Sequence, residues 1–327
     1  MTSLRSDNRK NDRYYVHTAH HRINVVRLTI CMLGILVIML GLFLAANLIV
    51  DRSIGRAGGE SAAASGQDDD ASLKPGGQEH GESSGGEKDD PSAGKPYYYD
   101  VTRAERYAAY AAAHPEFPED DVIWMVNVDL DKPFYEDTVM ISDVDAVPVL
   151  VNKHFYFPDS FVPKDLVAAS NGWQVTRATL DAFNRMKQDA SAAGYPIDIQ
   201  SAYRSIELQI RLYNEYLARD GSPEIVDTYS SRPGYSEHHT GHTIDLVGSN
   251  GDMERFGETT ASPWVYEHAW EYGFIVRYTD ENRPITGYKS EPWHITYVGD
   301  EAAKIMHDNA IGSLEEYFAK YILAKPE

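Results

Sequence analysis

Three of the chain's 12 histidines fall within the run SEHHTGHTIDL, Ser236 to Leu246. Imidazole is the side chain best suited to bind metals or move protons near neutral pH. His238 and His242 stand four residues apart, the spacing of a helical metal pair, but Gly241 and the Thr243-Ile244 pair disfavour a helix. A strand instead puts Thr243, Asp245 and Val247 on one face and His242, Ile244 and Leu246 on the other. Asp is poorly placed in mid-strand unless its charge is compensated, and a cation shared with His238 from the preceding turn would do so directly. A second group, Glu291-Pro292-Trp293-His294, leads into an apolar strand. His238, Asp245 and His294 together offer two imidazoles and one carboxylate, an open three-ligand set that suits Zn²⁺ with water in the fourth position. Glu291, three residues before a ligand, is placed to act as a general base. The single cysteine excludes a four-cysteine site and any intrachain disulfide. The competing reading is structural, because isolated histidines are mostly satisfied core or surface groups, and spacing alone leaves the two open. His242, directed away from Asp245 in the strand reading, is expected to be structural.

These residues need elements to position them. Ile197 and Ile199 alternate with Asp198 and Gln200, a short strand that runs into Ser201-Ala202-Tyr203-Arg204. Ile206, Ile210, Tyr213 and Leu217 then repeat at helical spacing, so Arg204 sits at a strand-to-helix junction and Gln209 lies beside the apolar stripe. Val175 to Gly194 reads as a helix with Thr176 as its N-cap. Further strands are expected at His242 to Val247, Phe274 to Tyr278, Ile295 to Val298 and Val122 to Val128, and further helices over Tyr97 to Ala113, from Ser262-Pro263, and after a Ser313/Glu316 capping box. Helices intermixed with hairpin-type strands predict an α+β domain, a small mixed or antiparallel sheet with flanking helices.

Outside that domain the chain changes character. Leu28 to Val50 is 23 residues without a charge, enough to cross a bilayer core of about 30 Å and longer than the roughly 7 to 15 of a signal-peptide core. The expectation is an uncleaved transmembrane helix at 28–50. The basic tail at 1–27 carries net +4, which places the N-terminus in the cytoplasm and everything after Val50 outside. Residues 51–95 are Gly, Ser, Ala and acid, read as a flexible, disordered linker with a root-mean-square span of about 35 to 40 Å. A helical and stranded extension is expected at 96–148 and the catalytic domain at 149–327. The formal charge of −20 resides mainly on the part from Pro96 onward, which argues against nucleic acid as a partner.

The stretches SAYRSIELQ (Ser201 to Gln209), SRPGYSEHHTGHTIDL (Ser231 to Leu246) and ITGYKSEPWHITYVG (Ile285 to Gly299) resemble the VanY-type D-alanyl-D-alanine carboxypeptidases of bacterial cell walls. Their pattern is Ser-x-His, six residues, Asp, and downstream Glu-x-x-His. Val149 to Val167 is similar to the lead-in of such domains. The resemblance implies that His238, Asp245 and His294 ligate zinc, that Glu291 is the base, and that Arg204 binds substrate or its developing negative charge. It implies, too, that Ser236 and Gln209 contact the terminal residue of the peptide. Tyr288 and Trp293 flank this set and are candidate lining residues or core packing. His239 stands where Gln is frequent, Thr243 where Ala is, and Thr296 where Arg is. No ligand is altered.

The function implied is an anchored, monomeric, extracytoplasmic zinc D,D-carboxypeptidase acting on the D-Ala-D-Ala end of peptidoglycan stem peptides. The alternatives are an L,D-carboxypeptidase on tetrapeptide stems, a cell-wall endopeptidase, and a non-catalytic wall-binding module with a structural zinc.

Overall fold

A computed structural model describes Ser92 and residues 94–324. The expected span at 28–50 and most of the expected linker lie outside the described residues, among which no helix is long and apolar enough to cross a membrane.

Two helices open the described chain, α1 (Ala104–Ala113) and α2 (Glu119–Asn127). The second is where a strand was expected over Val122 to Val128. The five-residue apolar run Val122 to Val126 has no polar interruption by which period 2 could be told from period 3.6. Every one of those residues is buried, as in a helix enclosed on all sides, and Glu119, Asp120 and Asp121 supply the negative first turn that its dipole favours.

The helix α3 (Arg177–Ala192) starts on the predicted cap, Thr176, whose side chain accepts from the Thr179 N–H. The strand β1 (Asp198–Ser201) follows, then α4 (Ile206–Asp220), capped by Ser205 and closed by Gly221 at φ +75°. Beyond a 3₁₀ turn at Glu237–Thr240 come β2 (Thr243–Val247), α5 (Ala261–His268), β3 (Phe274–Tyr278) and β4 (Glu291–Tyr297). Two last helices are α6 (Asp300–Asp308) and α7 (Leu314–Tyr317), the latter capped by Ser313 as predicted.

The four strands form one antiparallel sheet in the order β1-β2-β4-β3. β4 begins at Glu291, four residues earlier than expected, because Glu291 pairs with Tyr278 across a register irregularity that follows Val276. That irregularity is where a strand can hold Pro292, which has no N–H to donate.

Alternation divides the sheet into two faces. Ile199, Ile244, Leu246 and Ile295 pack with Ala182, Phe183, Met186 and Ala190 of α3. Truncating one such ring, as in Phe183→Ala, costs about 3–5 kcal/mol. The other face carries Thr243, Asp245, His294 and Thr296, all buried. A second core joins α1 and α2 to α6 and α7 through Trp124, Val126, Ala303, Leu314 and Tyr317. Ile275 of β3 packs against it, which ties the chain's two described ends to the edge strand of the sheet.

Candidate metal centre

The polar face of the sheet brings the predicted residues together by register. Asp245 in β2 is the direct cross-strand partner of His294 in β4 on one side and of Ser201 in β1 on the other. His238 arrives from the 3₁₀ turn, which depends on Gly241. That glycine has φ +70°, and a Cβ there would meet Leu166 Cδ2 at 2.8 Å and Thr176 Cγ2 at 3.2 Å. Its carbonyl also accepts from Thr176 N at 2.9 Å, tying the turn to the start of α3. One donor atom each from His238, Asp245 and His294 lies within 4.8 Å of the others, and all three residues are buried.

Hydrogen bonding assigns the ring atoms. His238 Nδ1 lies 2.7 Å from the Ala202 carbonyl, which can only accept, so Nδ1 carries the hydrogen and the Nε2 lone pair faces Asp245 Oδ2 at 3.2 Å. His294 Nε2 lies 3.3 Å from Glu237 Oε2, another pure acceptor, so its Nδ1 faces Asp245 Oδ1 at 3.3 Å and Glu291 Oε2 at 3.5 Å. Asp245 Oδ1 is buried and has no hydrogen-bond partner of acceptable geometry. Acceptors turned on one another in a buried site need a proton or a metal cation between them, and two imidazoles with a carboxylate are a fitting donor set for zinc.

Burial and neighbouring charge pull the proton affinities of these groups in opposite directions. Burial, with Arg204 adding, pushes the His238 imidazole down to about 4. Burial also acts on His294, but the Asp245 and Glu237 carboxylates beside it overcome it and raise that ring to about 9. Asp245 is held well below the usual carboxylate range in spite of burial, by His238, His294 and Arg204. Glu291 is pushed up to about 7, chiefly by burial, with Asp245 adding to it. Two carboxylates in one site are thus driven apart, the arrangement expected of a fixed anion beside a proton carrier.

Arg204 donates from Nη2 to Asp245 Oδ2 at 2.7 Å and to Ser201 Oγ at 2.8 Å. Its side chain keeps 20% exposure, at the wall of a groove of about 760 Å³ whose lining includes the triad and Glu291. All four predicted contact residues line this groove. Gln209 is buried, donates to the Ser231 carbonyl at 2.8 Å and leaves Oε1 unpartnered. Ser236 caps the turn by accepting from His238 N at 3.3 Å. Tyr288 donates to Ser231 Oγ at 2.9 Å. Trp293 also packs against the main core, so lining and packing both hold for it. His242 is structural as expected, its Nδ1 lying 3.0 Å from the hydroxyls of Thr176 and Thr179.

Sequence reasoning missed Glu237 and Arg277. Glu237 receives Thr296 Oγ1 at 2.6 Å and Arg277 Nε at 2.6 Å, and Arg277 forks onto Glu315 at 2.7 and 3.0 Å. A signal was present. Arg277 interrupts the strand run FIVRY just as Asp245 interrupts TIDLV, and the same argument for a compensated mid-strand charge applies to both. Thr296 and Thr243, two of the three departures from the resembled pattern, bond to each other at 3.2 Å.

A family model described as VanY, D-alanyl-D-alanine carboxypeptidase, matches residues 172–300. The putative carboxypeptidase YodJ of Bacillus subtilis (strain 168) is 35% identical over 192 residues, 55% of this chain and 70% of that protein. A D-alanyl-D-alanine carboxypeptidase of Enterococcus faecium is 33% identical over 183 residues, 52% of this chain and 56% of that one. Among solved structures, that of the LdcB LD-carboxypeptidase aligns with TM-score 0.52 and 34% identity, covering 57% of this chain and 91% of that chain.

Proposed function

The chain belongs to the VanY family of D-alanyl-D-alanine carboxypeptidases, and on that premise we propose that it is a zinc carboxypeptidase that trims the terminal D-amino acid from peptidoglycan stem peptides. The observation that carries this reading is the buried triad of His238, Asp245 and His294 with Glu291 3.5 Å from one ligand ring.

Zinc, when bound by the triad, would acidify a water and polarise the scissile carbonyl. The protein's own groups do the rest. Glu291, its carboxyl raised to about 7, takes the proton of the attacking water and returns it to the leaving amine. Arg204 spends Nε and Nη2 on Ser201 and Asp245, so Nη1 is left for an anionic group of the substrate. Gln209 Oε1, buried and unpartnered, accepts a hydrogen bond from the bound peptide. Zn²⁺ with ionised Asp245 and Glu291 sums to zero, and Arg204 adds one positive charge. A free C-terminal carboxylate is attracted to that surplus, and it is the feature that tells a chain end from its middle.

The preferred substrate is the pentapeptide stem ending in D-Ala-D-Ala, in keeping with the enterococcal relative. The second reading, an L,D-carboxypeptidase on tetrapeptide stems, is favoured by the likeness to LdcB. Mass spectrometry of synthetic pentapeptide and tetrapeptide stems, and of cross-bridged muropeptides, after incubation with the zinc-loaded full chain decides between them. Release of one D-alanine from the pentapeptide is expected. Failure to shorten either stem would overturn the carboxypeptidase reading, and bridge scission would replace it with endopeptidase action.

The proposal includes an anchor at 28–50 with the catalytic part outside the membrane, supported by the uncharged run and the basic tail before it. A net acidic outer part is repelled by anionic lipid heads, which gives a 45-residue spacer a physical use. Protease added to intact cells should digest the outer part. A protected outer part would reverse the orientation.

A further inference from the structure

Behind the metal centre lies a closed chain of buried charge that ends outside the family-matched segment 172–300. His294 Nε2 meets Glu237 Oε2, whose other oxygen receives Arg277 Nε. Arg277 gives both of its terminal nitrogens to Glu315 of α7. Glu315 Oε1 in turn receives Asn152 Nδ2 at 3.1 Å. Glu237, Arg277 and Glu315 are 2%, 1% and 0% exposed, so water does not substitute for any of these bonds.

We propose that Glu315 is a positioning residue for the metal site, acting through Arg277 and Glu237 on His294. A guanidinium prefers a forked grip on a carboxylate. With both terminal nitrogens directed at Glu315, Arg277 reaches Glu237 through Nε, and Glu237 meets it with Oε1 alone. Oε2 is thereby reserved for His294 and Thr296. Without the Glu315 charge, Arg277 turns its fork onto Glu237 and draws Oε2 away from His294, whose ring then loses the bond that fixes its tautomer and its angle to the metal. The C-terminal helix thus contributes to the metal centre without touching it.

The inference rests on the triad holding a metal, and its test reads metal binding directly instead of turnover. Zinc affinity of the full chain is measured by competition with a chelator, and ligand geometry by the visible spectrum of the Co²⁺-substituted protein. Glu315→Gln is expected to weaken zinc binding about 10-fold and shift the cobalt bands; Glu237→Gln is expected to do so by about 10- to 100-fold. The double variant should be no weaker than Glu237→Gln alone, since both act through one bond. Glu315→Asp keeps the charge and shortens the reach, and it is expected to weaken zinc binding as well, which provides a reading if Glu315→Gln does not fold. The relay is overturned if the Glu315 variants lower the melting temperature of the metal-free chain while zinc affinity and cobalt spectrum stay at wild-type values, or if the two losses multiply in the double variant. Absence of stoichiometric zinc in the wild-type chain would overturn the metal reading of the triad, and the relay with it.

Discussion

The groups around Asp245 and those around Arg277 are both buried, both highly charged, and meet at the contact between His294 and Glu237. Around Arg277 the donors and acceptors are matched: a fork on Glu315, a single bond to Glu237, and a threonine and an asparagine filling other acceptor positions. Around Asp245 they are not. A carboxylate oxygen lacks a partner, imidazole nitrogens face carboxylate oxygens, and the buried Gln209 Oε1 is left without a donor. A buried charge cluster whose bonds are complete serves to hold shape, whereas one with surplus acceptors is built to take up a cation and a substrate. Burial and charge are common to both clusters, so unmet hydrogen bonding is what marks the reactive one.

The largest effect should come from removing the proton carrier on the open side. Glu291→Gln is expected to lower kcat by about 10²–10⁴-fold with zinc content and melting temperature near wild type, as read by D-alanine release and metal analysis. Undiminished turnover in a zinc-loaded variant would remove Glu291 from the mechanism. On the closed side the expected loss is in stability. Arg277→Met leaves Glu237 and Glu315 buried without their cation and should cost about 3–5 kcal/mol in urea unfolding. A cost below about 1 kcal/mol would mean that the closed cluster is not the scaffold described above.

Acid should act on histidines outside the metal centre. Burial holds His242 and His239 down to about 4 in the fold, against about 6.5 in an unfolded chain. Between those values the unfolded chain binds more protons, so stability rises with pH; it is fully present above about 6.5 and lost as pH falls through about 4. Each ring contributes at most about 3 kcal/mol across that window. Replacing His242 with Asn should flatten the dependence of unfolding free energy on pH between 4 and 6.5, and an unchanged slope would show that His242 is not a source of it.

The smallest effect is expected from His239→Gln. His239 donates from Nδ1 to the Arg204 carbonyl at 2.8 Å and accepts from Gly234 N at 3.2 Å. A carboxamide offers one donor and one acceptor at similar reach, so stability should change by less than about 1 kcal/mol. A severe loss would show that the ring itself is needed.

Much of the site was legible because it rests on local rules. A carboxylate inside an apolar strand, a glycine that breaks the helical reading of two histidines, and an arginine at a strand-to-helix junction each have a local physical cost that names a role. The helix at Glu119–Asn127 was not legible, since a short apolar run has no period and only enclosure on every side decides its form. Glu237 escaped notice for a different reason. Its partners Arg277, His294 and Thr296 lie 40, 57 and 59 residues away, and no local pattern encodes such pairings.

The order of residues by itself determined the donor types, the caps and turns, the alternation that puts Ile244 and Leu246 on one strand face and Thr243 and Asp245 on the other, and the uncharged run at 28–50. Each follows from side-chain chemistry and a repeat of 2.0 or 3.6 residues. Only the tertiary structure decided that Asp245 stands opposite His294, that the sheet order is β1-β2-β4-β3, and that the arginine of one strand is held by a glutamate of the last helix. Strand register and buried ion pairing are settled by contacts far apart along the chain, where the entropy of bringing segments together is set against burial of the whole sheet, a balance that no local window contains.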